Sequence, residues 1–144
     1  TMTDKHASVA RRARDLMQQD GFGCSEAVVY AMSEHLWGAV DETLLKASTP
    51  LRGGFAGTKT QLCGALSGGG LIIGALYGRT AGDQDSTRVF ELTERFQTRF
   101  TAKFGWTGCG DLRANGYGGS GIPCAELVEQ AVLILLDILE PAEA

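Results

Sequence analysis

The sequence predicts an all-α fold: a single-domain bundle of about five helices around a glycine-rich central helix. Apolar residues recur at helical spacing through most of the chain, and no stretch shows the strict alternation of a half-buried strand. One long uncharged run is so rich in glycine that only packing partners would keep it helical. With 144 residues, we expect one domain spanning 1–144.

The first part of the chain contains three predicted helices. Residues 7–19 carry apolar side chains at helical spacing and are followed by a glycine stop signal. Residues 24–37 form the second predicted helix, also ended by glycine. A short helix is predicted over 41–47. The segment 48–57 is predicted to be a loop, because it combines a proline with several glycines.

The glycine-rich run extends over residues 62–78. Its glycines at 64 and 68, and at 70, 74 and 78, are four residues apart, so on a helix each set lies on one side and lets another backbone approach. We predict that this run is the central helix, enclosed by the others, with Cys63 near its N-terminal end. The run is also just long enough for one membrane span, but its many small residues and the amphipathic flanking helices disfavour that alternative.

The second part of the chain contains the clearest amphipathic pattern. Residues 83–104 carry an apolar stripe at steps of three and four that is typical of a core-facing helix: Val89, Leu92, Phe96, Phe100 and Phe104. Residues 106–121 are predicted to be a glycine-rich loop. A last helix is predicted over 123–139, because proline is well suited to the first helical position.

Charge and composition restrict the classes of function. The net charge of -4 and the scatter of the 13 basic residues disfavour nucleic-acid binding. The N-terminal residues show no apolar signal segment, and Thr1 before Met2 resembles an addition ahead of the natural start. We therefore expect a cytoplasmic protein without a membrane partner. In that reducing compartment, cysteines are typically reactive or metal-bound rather than joined in permanent disulfides.

The four cysteines are the candidate functional residues. They are Cys24, Cys63, Cys109 and Cys124, separated by 39, 46 and 15 positions, and no two form a CxxC pair. Three of them lie at predicted helix starts, where free N–H groups stabilise a thiolate, so we expect lowered thiol pKa values and convergence on one point. Two alternatives stay open: four unrelated buried cysteines, or a zinc site, although zinc usually takes its thiolates from CxxC-type knuckles.

The motifs around these cysteines resemble a known family. GCSEAV at 23–28, CGALSGG at 63–69 and the single cysteines at 109 and 124 resemble the C_GCAxxG_C_C family of redox-active proteins. The resemblance implies an all-helical bacterial or archaeal protein with redox-active cysteines, related to the module of split-Soret cytochromes, in which an iron–sulfur cluster accompanies haem. This chain contains no CxxCH, which excludes covalent c-type haem.

Two classes of function follow. In the first, the cysteines transfer electrons to an unknown redox partner, either by thiol–disulfide cycling, with Cys24 and Cys63 as the suggested pair, or through an iron–sulfur cluster held by all four. Gly64 and Gly68 would leave room for such a cofactor, or simply for close helix packing. In the second, the protein is a non-enzymatic interaction or metal-binding module with structural cysteines. The glycine face makes a homodimer reasonable.

Three other polar residues were considered. Asp111, two residues after Cys109, would be placed to accept a thiol proton, but a solvated loop carboxylate is the more usual case. His35 would lie about 16 Å along its helix from Cys24, too far to share a metal centre with it. Neither His6 nor His35 is assigned a role.

Overall fold

The computed structural model describes residues 3–141. Thr1 and Met2, where the sequence suggests an added residue, lie outside these described residues. Within this range lie seven α-helices and one 3-10 turn (Thr49–Leu51): α1 (Asp4–Gln19), α2 (Cys24–Trp37), α3 (Glu42–Ser48), α4 (Gly64–Tyr77), α5 (Thr87–Phe104), α6 (Cys109–Ala114) and α7 (Cys124–Leu139).

The all-α class is confirmed, since residues 3–141 contain no β-strand and only two isolated backbone bridges. The number of helices was underestimated. Six helical segments were predicted one by one, and α6 matches none of them, because it lies inside the segment 106–121 that was predicted to be a loop. It has six residues, and a backbone bridge between Leu62 and Gly108 holds its start in place, so tertiary contacts rather than local propensity account for it.

The prediction that the glycine-rich helix is enclosed by the others is not confirmed. The first half of α4 is buried, and it packs on α2, α5 and α7. Farther along, Ala75 and Tyr77 are exposed, and a side chain at Gly70 or Gly74 would meet no other atom within 4 Å. This helix therefore has one packed side and one open side, which is the ordinary arrangement for a helix at the surface of a bundle.

The predicted apolar stripe of α5 is confirmed. Its residues Leu92, Phe96, Phe100 and Phe104 are all buried, and Val89 is half-buried against the core. Gly69 on α4 makes room for this stripe, because a Cβ atom there would lie 2.3 Å from the ring of Phe96. Helices α2, α4 and α7 also pack against one another.

Candidate functional site

Cys24 is the first residue of α2, and a set of partly buried hydrogen bonds fixes its position. The backbone N–H of Gly23 donates to the Glu26 carboxylate at 2.9 Å, which caps the helix start. Thr49 donates to the other oxygen of Glu26 at 2.8 Å, and Arg52 pairs with the carboxylate at 3.2 Å. Glu26 is only 7% exposed. The start of α2 is therefore tied to the segment that precedes α4.

Cys63 and Cys109 are placed side by side by the antiparallel bridge between Leu62 and Gly108. The N–H of Cys63 donates to the carbonyl of Thr107 at 2.8 Å, and the N–H of Cys109 donates to the carbonyl of Gln61 at 2.8 Å. Cys63 is the residue before α4, and Cys109 is the first residue of α6. The bridge thus brings two helix starts together that are far apart in sequence.

Cys124 opens α7, directly after Pro123. The loop before it folds back on itself, because Gly118 donates its N–H to the carbonyl of Ile122 at 2.7 Å. Gly118 has a φ of +74°, and a Cβ atom there would lie 3.1 Å from the Sγ atom of Cys124. A glycine is needed at this point for both the backbone conformation and the close approach to the sulfur.

All four cysteines line one enclosed cavity of about 30 Å³. The remaining lining residues are Gly64, Leu112, Arg113, Tyr117, Leu127 and Val128. The backbone of Gly64 is in close contact with Cys24, since a Cβ atom at Gly64 would lie 2.3 Å from the Sγ atom of Cys24. The four thiols are unpaired, because no disulfide joins them. The cavity gathers four sulfur atoms within a mostly apolar wall that has one cation, Arg113, in it.

The thiol pKa values are shifted in the direction opposite to the one expected at helix starts. Burial, followed by repulsion from Cys24, raises the pKa of Cys63 to about 12. The same two causes raise the pKa values of Cys109 and Cys124, and Arg113 offsets part of each rise. Desolvation and repulsion between neighbouring sulfurs therefore outweigh the helix dipole. In the absence of a bound cation, these three thiols are protonated at neutral pH.

A left-handed turn closes one side of the site. Residues 53–57 have five consecutive φ values between +55° and +70°. Two of these five residues, Phe55 and Ala56, carry side chains, and the left-handed conformation costs each such residue about 1–2 kcal/mol. Gly54 in this turn packs against the site, because a Cβ atom there would lie 2.6 Å from the Cβ of Cys109. Such strain is typically retained at functional sites.

Cys24 also borders solvent on a second side. It lines an open groove of about 490 Å³ between the start of α2 and the left-handed turn. Arg52 and Ala56 form part of the opposite wall. Cys63, by contrast, is only 7% exposed. A molecule entering the groove from solvent therefore meets Cys24 before it meets Cys63. Cys109 and Cys124 are half-buried like Cys24.

The other residues that were candidates from the sequence lie at different distances from the cavity. Gly64 lines the cavity, but Gly68 does not: it lies one turn farther along and packs against the backbone of Ser25, so it permits close helix contact instead. Asp111 is exposed, and its carboxylate lies over Gly108. Tyr117 at the cavity was missed by sequence reasoning, because its position depends on how the loop before α7 folds.

The two histidines, to which no role was assigned, lie together away from the cysteines. Their Nε2 atoms contact the same carboxylate oxygen of Glu140, His6 at 3.0 Å and His35 at 2.8 Å. Among residues 3–141, these three form a group of donor atoms spaced to hold one metal ion, whereas the cysteines do not. A single tetrahedral zinc needs thiolate sulfurs about 3.8 Å apart, as follows from its Zn–S bond length.

The fold and the site define a helical protein with four cysteines at one buried cavity. A family model described as "Putative redox-active protein (C_GCAxxG_C_C)" matches residues 22–138. The chain belongs to this family. No curated protein and no solved structure shows significant similarity to it. Of the helices in residues 3–141, none combines the length and the apolar character that crossing a bilayer requires.

Proposed function

We propose that this redox-active protein holds an iron–sulfur cluster on Cys24, Cys63, Cys109 and Cys124, and transfers electrons through it. The observation that carries the proposal is the convergence of four unpaired cysteines on one enclosed cavity. Both common cluster types, [2Fe–2S] and [4Fe–4S], are held by four cysteine thiolates. The number and kind of donor atoms therefore fit this cofactor.

The electrostatics of the cavity favour a cationic occupant over free thiolates. A nucleophilic thiol needs a lowered pKa, but Cys63, Cys109 and Cys124 have raised values. Iron ions would supply the positive charge that releases these protons, as metal ions do for other thiol ligands. Thiols that stay protonated in the empty cavity would therefore lose their protons only when metal ions bind to the sulfurs.

The spacing of the sulfurs favours a cluster over a single ion. The cysteines do not form a group that could hold one metal ion among the described residues. A cluster places its own iron and sulfide atoms between the ligands, so it tolerates sulfurs that are farther apart. When bound, it supplies one-electron transfer at a potential set by its type, charge and surroundings.

The cavity must enlarge to accept a cluster. Its volume of about 30 Å³ is roughly the share of one water molecule in the liquid. Three walls are helix starts fixed by packing, but the segment from Arg113 to Ile122 consists largely of loop. We expect the loop part of this segment, which follows the end of α6 at Ala114, to move outward. Arg113 would then remain near the sulfurs and stabilise their negative charge.

The test is anaerobic reconstitution of the full chain with ferrous iron and sulfide. We expect bound iron and acid-labile sulfide in equal amounts, with visible absorption that bleaches on reduction. Cys63→Ser should lose most of the iron, because it removes one of four ligands at nearly constant volume. Ser67→Ala, one turn away on α4, is the matched control and should keep it. A wild-type chain that remains colourless and free of iron would overturn the proposal.

A second function, thiol–disulfide exchange, is favoured by the open groove at Cys24. The Cys24 thiolate would attack a disulfide of a partner protein, forming a mixed disulfide and releasing one partner thiol. Cys63 would then attack the Cys24 sulfur, which forms an intramolecular disulfide and releases the second partner thiol. Two electrons pass to the partner. Treatment of the cluster-free chain with oxidised glutathione should then remove two free thiols and link Cys24 to Cys63 in peptide maps.

A further inference from the structure

A second cluster of metal-ligating side chains lies at the other end of the bundle. His6 is in the first turn of α1, His35 is in the last turn of α2, and Glu140 directly follows α7. Eleven residues of helix separate His35 from Cys24, or about 16 Å. The cluster is therefore independent of the cysteine site.

The three side chains already point at one position. His6 Nε2 and His35 Nε2 lie 3.0 and 2.8 Å from the same oxygen, Glu140 Oε1. All three donor atoms lie within 4.8 Å of one another. The two rings meet edge to face, with 6.2 Å between their centroids. The side chains of His6 and His35 are 8% and 5% exposed, whereas that of Glu140 is 40% exposed.

Hydrogen bonding alone satisfies this cluster incompletely. Both rings can donate to one oxygen only when each carries its proton on Nε2. In the described part of the chain, Nδ1 of His35 is buried and has no hydrogen-bond partner. Nothing therefore fixes the proton on one ring nitrogen from the Nδ1 side. Nδ1 of His35 lacks a partner among residues 3–141 in either tautomer, so no hydrogen bond on that side holds the proton on Nε2, whose lone pair can face a cation when the proton is on Nδ1.

The local electrostatics attract positive charge. Glu140 brings a carboxylate, and its Oε1 atom lies within 3.0 Å of both imidazole Nε2 atoms. Two helices, α2 and α7, end here, and the carbonyl ends of helices attract cations. The N-terminal end of α1 also lies here, and its positive dipole end repels cations, but it is one helix end against two.

We propose that His6, His35 and Glu140 bind a divalent first-row transition ion such as zinc. Two imidazole nitrogens and one carboxylate oxygen form a donor set typical of zinc and ferrous iron, whereas magnesium and calcium prefer oxygen alone. Tetrahedral zinc needs donor atoms about 3.3–3.4 Å apart, as follows from its Zn–N and Zn–O bond lengths. The present separations from Glu140 must therefore grow by about half an ångström, which a half-exposed side chain after a helix end can accommodate.

The coordination would be open on one side. Three protein ligands leave the fourth position of a tetrahedral zinc to water or another small ligand, as in catalytic rather than structural zinc sites. Because Glu140 is the exposed member, that position faces solvent. The bound ion would also join the ends of three helices and so stabilise the folded chain by mass action.

The histidines themselves provide the test. The chain has two, so long-range proton–nitrogen NMR of the untagged protein reports on this site without interference from the cysteines. One equivalent of zinc should shift the Nε2 resonances of both His6 and His35 together. Zinc binding at the cysteines alone would leave them unchanged. Unchanged imidazole signals at saturating zinc would overturn the proposal, whatever the result at the cysteine cavity.

Two variants identify the ligand. Glu140→Gln keeps the size of the side chain but removes its charge, so the zinc affinity that the imidazole shifts report should fall at least tenfold. Glu34→Gln is the matched control: it removes an exposed carboxylate that pairs with Arg12 on the same side of the fold, and should leave the affinity unchanged. Equal zinc affinity in Glu140→Gln and wild type would contradict the assignment.

Discussion

Gly64 provides a sharp test of how the cysteine cavity is built. In Gly64→Ala, the new methyl group would lie 2.3 Å from the Sγ atom of Cys24, 3.1 Å from the backbone nitrogen of Ser25 and 3.2 Å from the carbonyl oxygen of Leu51. Carbon atoms in contact are normally about 3.5–4.0 Å apart, so at least one neighbour must move by more than an ångström. Two of these three neighbours are backbone atoms, which move least easily.

The expected magnitude comes from two opposing effects. Overpacking of a filled interior costs about 1–3 kcal/mol. Replacing glycine by alanine in a helix interior returns about 1 kcal/mol, but Gly64 is the first residue of α4, so only part of this gain applies. Gly64→Ala should therefore lower the free energy of unfolding by about 1–2 kcal/mol. Gly70→Ala, on the same helix with nothing within 4 Å of the new methyl group, should raise it by about 1 kcal/mol.

Urea denaturation of the cluster-free chain measures both changes, and iron content after reconstitution measures the effect on the site. Gly64→Ala should be less stable than wild type and should bind less iron, because Cys24 is displaced. Gly70→Ala should be more stable and should bind iron normally. If the two variants changed stability in the same direction, or if Gly64→Ala reconstituted like wild type, the close contact between α4 and Cys24 would be refuted.

Two further predictions concern pH and backbone strain. The pKa of Cys63 is about 12 in the folded chain against an ordinary value of 9, so below pH 9 both states keep the proton. Above pH 9 only the unfolded chain releases this proton. The free energy of unfolding of the cluster-free chain should therefore fall by about 1.4 kcal/mol per pH unit for this thiol. Urea titrations at pH 8 and 10 should show a smaller fall in Cys63→Ser than in the wild type. Phe55 is exposed and has a φ of +70°, so Phe55→Gly should raise the unfolding free energy by about 0.5–1 kcal/mol in the same assay, whereas a loss of stability would show that the ring is needed.

The elements that were predicted correctly are those whose signals are local. The apolar stripe of α5 repeats at helical spacing, and Pro123 marks the start of α7, so each could be recognised from a few neighbouring residues. The start of α2 was placed at the observed residue, and that of α7 one residue early, because Pro123 precedes the first helical residue instead of occupying that position. These starts position Cys24 and Cys124, which explains why sequence reasoning placed half of the site well.

The features that were missed depend on contacts between distant segments. Helix α6 is short and depends on the bridge between Leu62 and Gly108. The thiol pKa values follow from burial and from neighbouring sulfurs rather than from the helix start alone. His6 and His35 meet only because α1, α2 and α7 come together at one end, and the spacing of the two histidines in the sequence gives no sign of it.

The four sulfurs come from helix starts distributed over about a hundred positions, from residue 24 to residue 124. A partly folded chain that lacks α7 in its place offers at most three of them. Cofactor loading at this cavity would consequently act as a check on assembly, because only a chain with every one of these helices docked presents the complete ligand set.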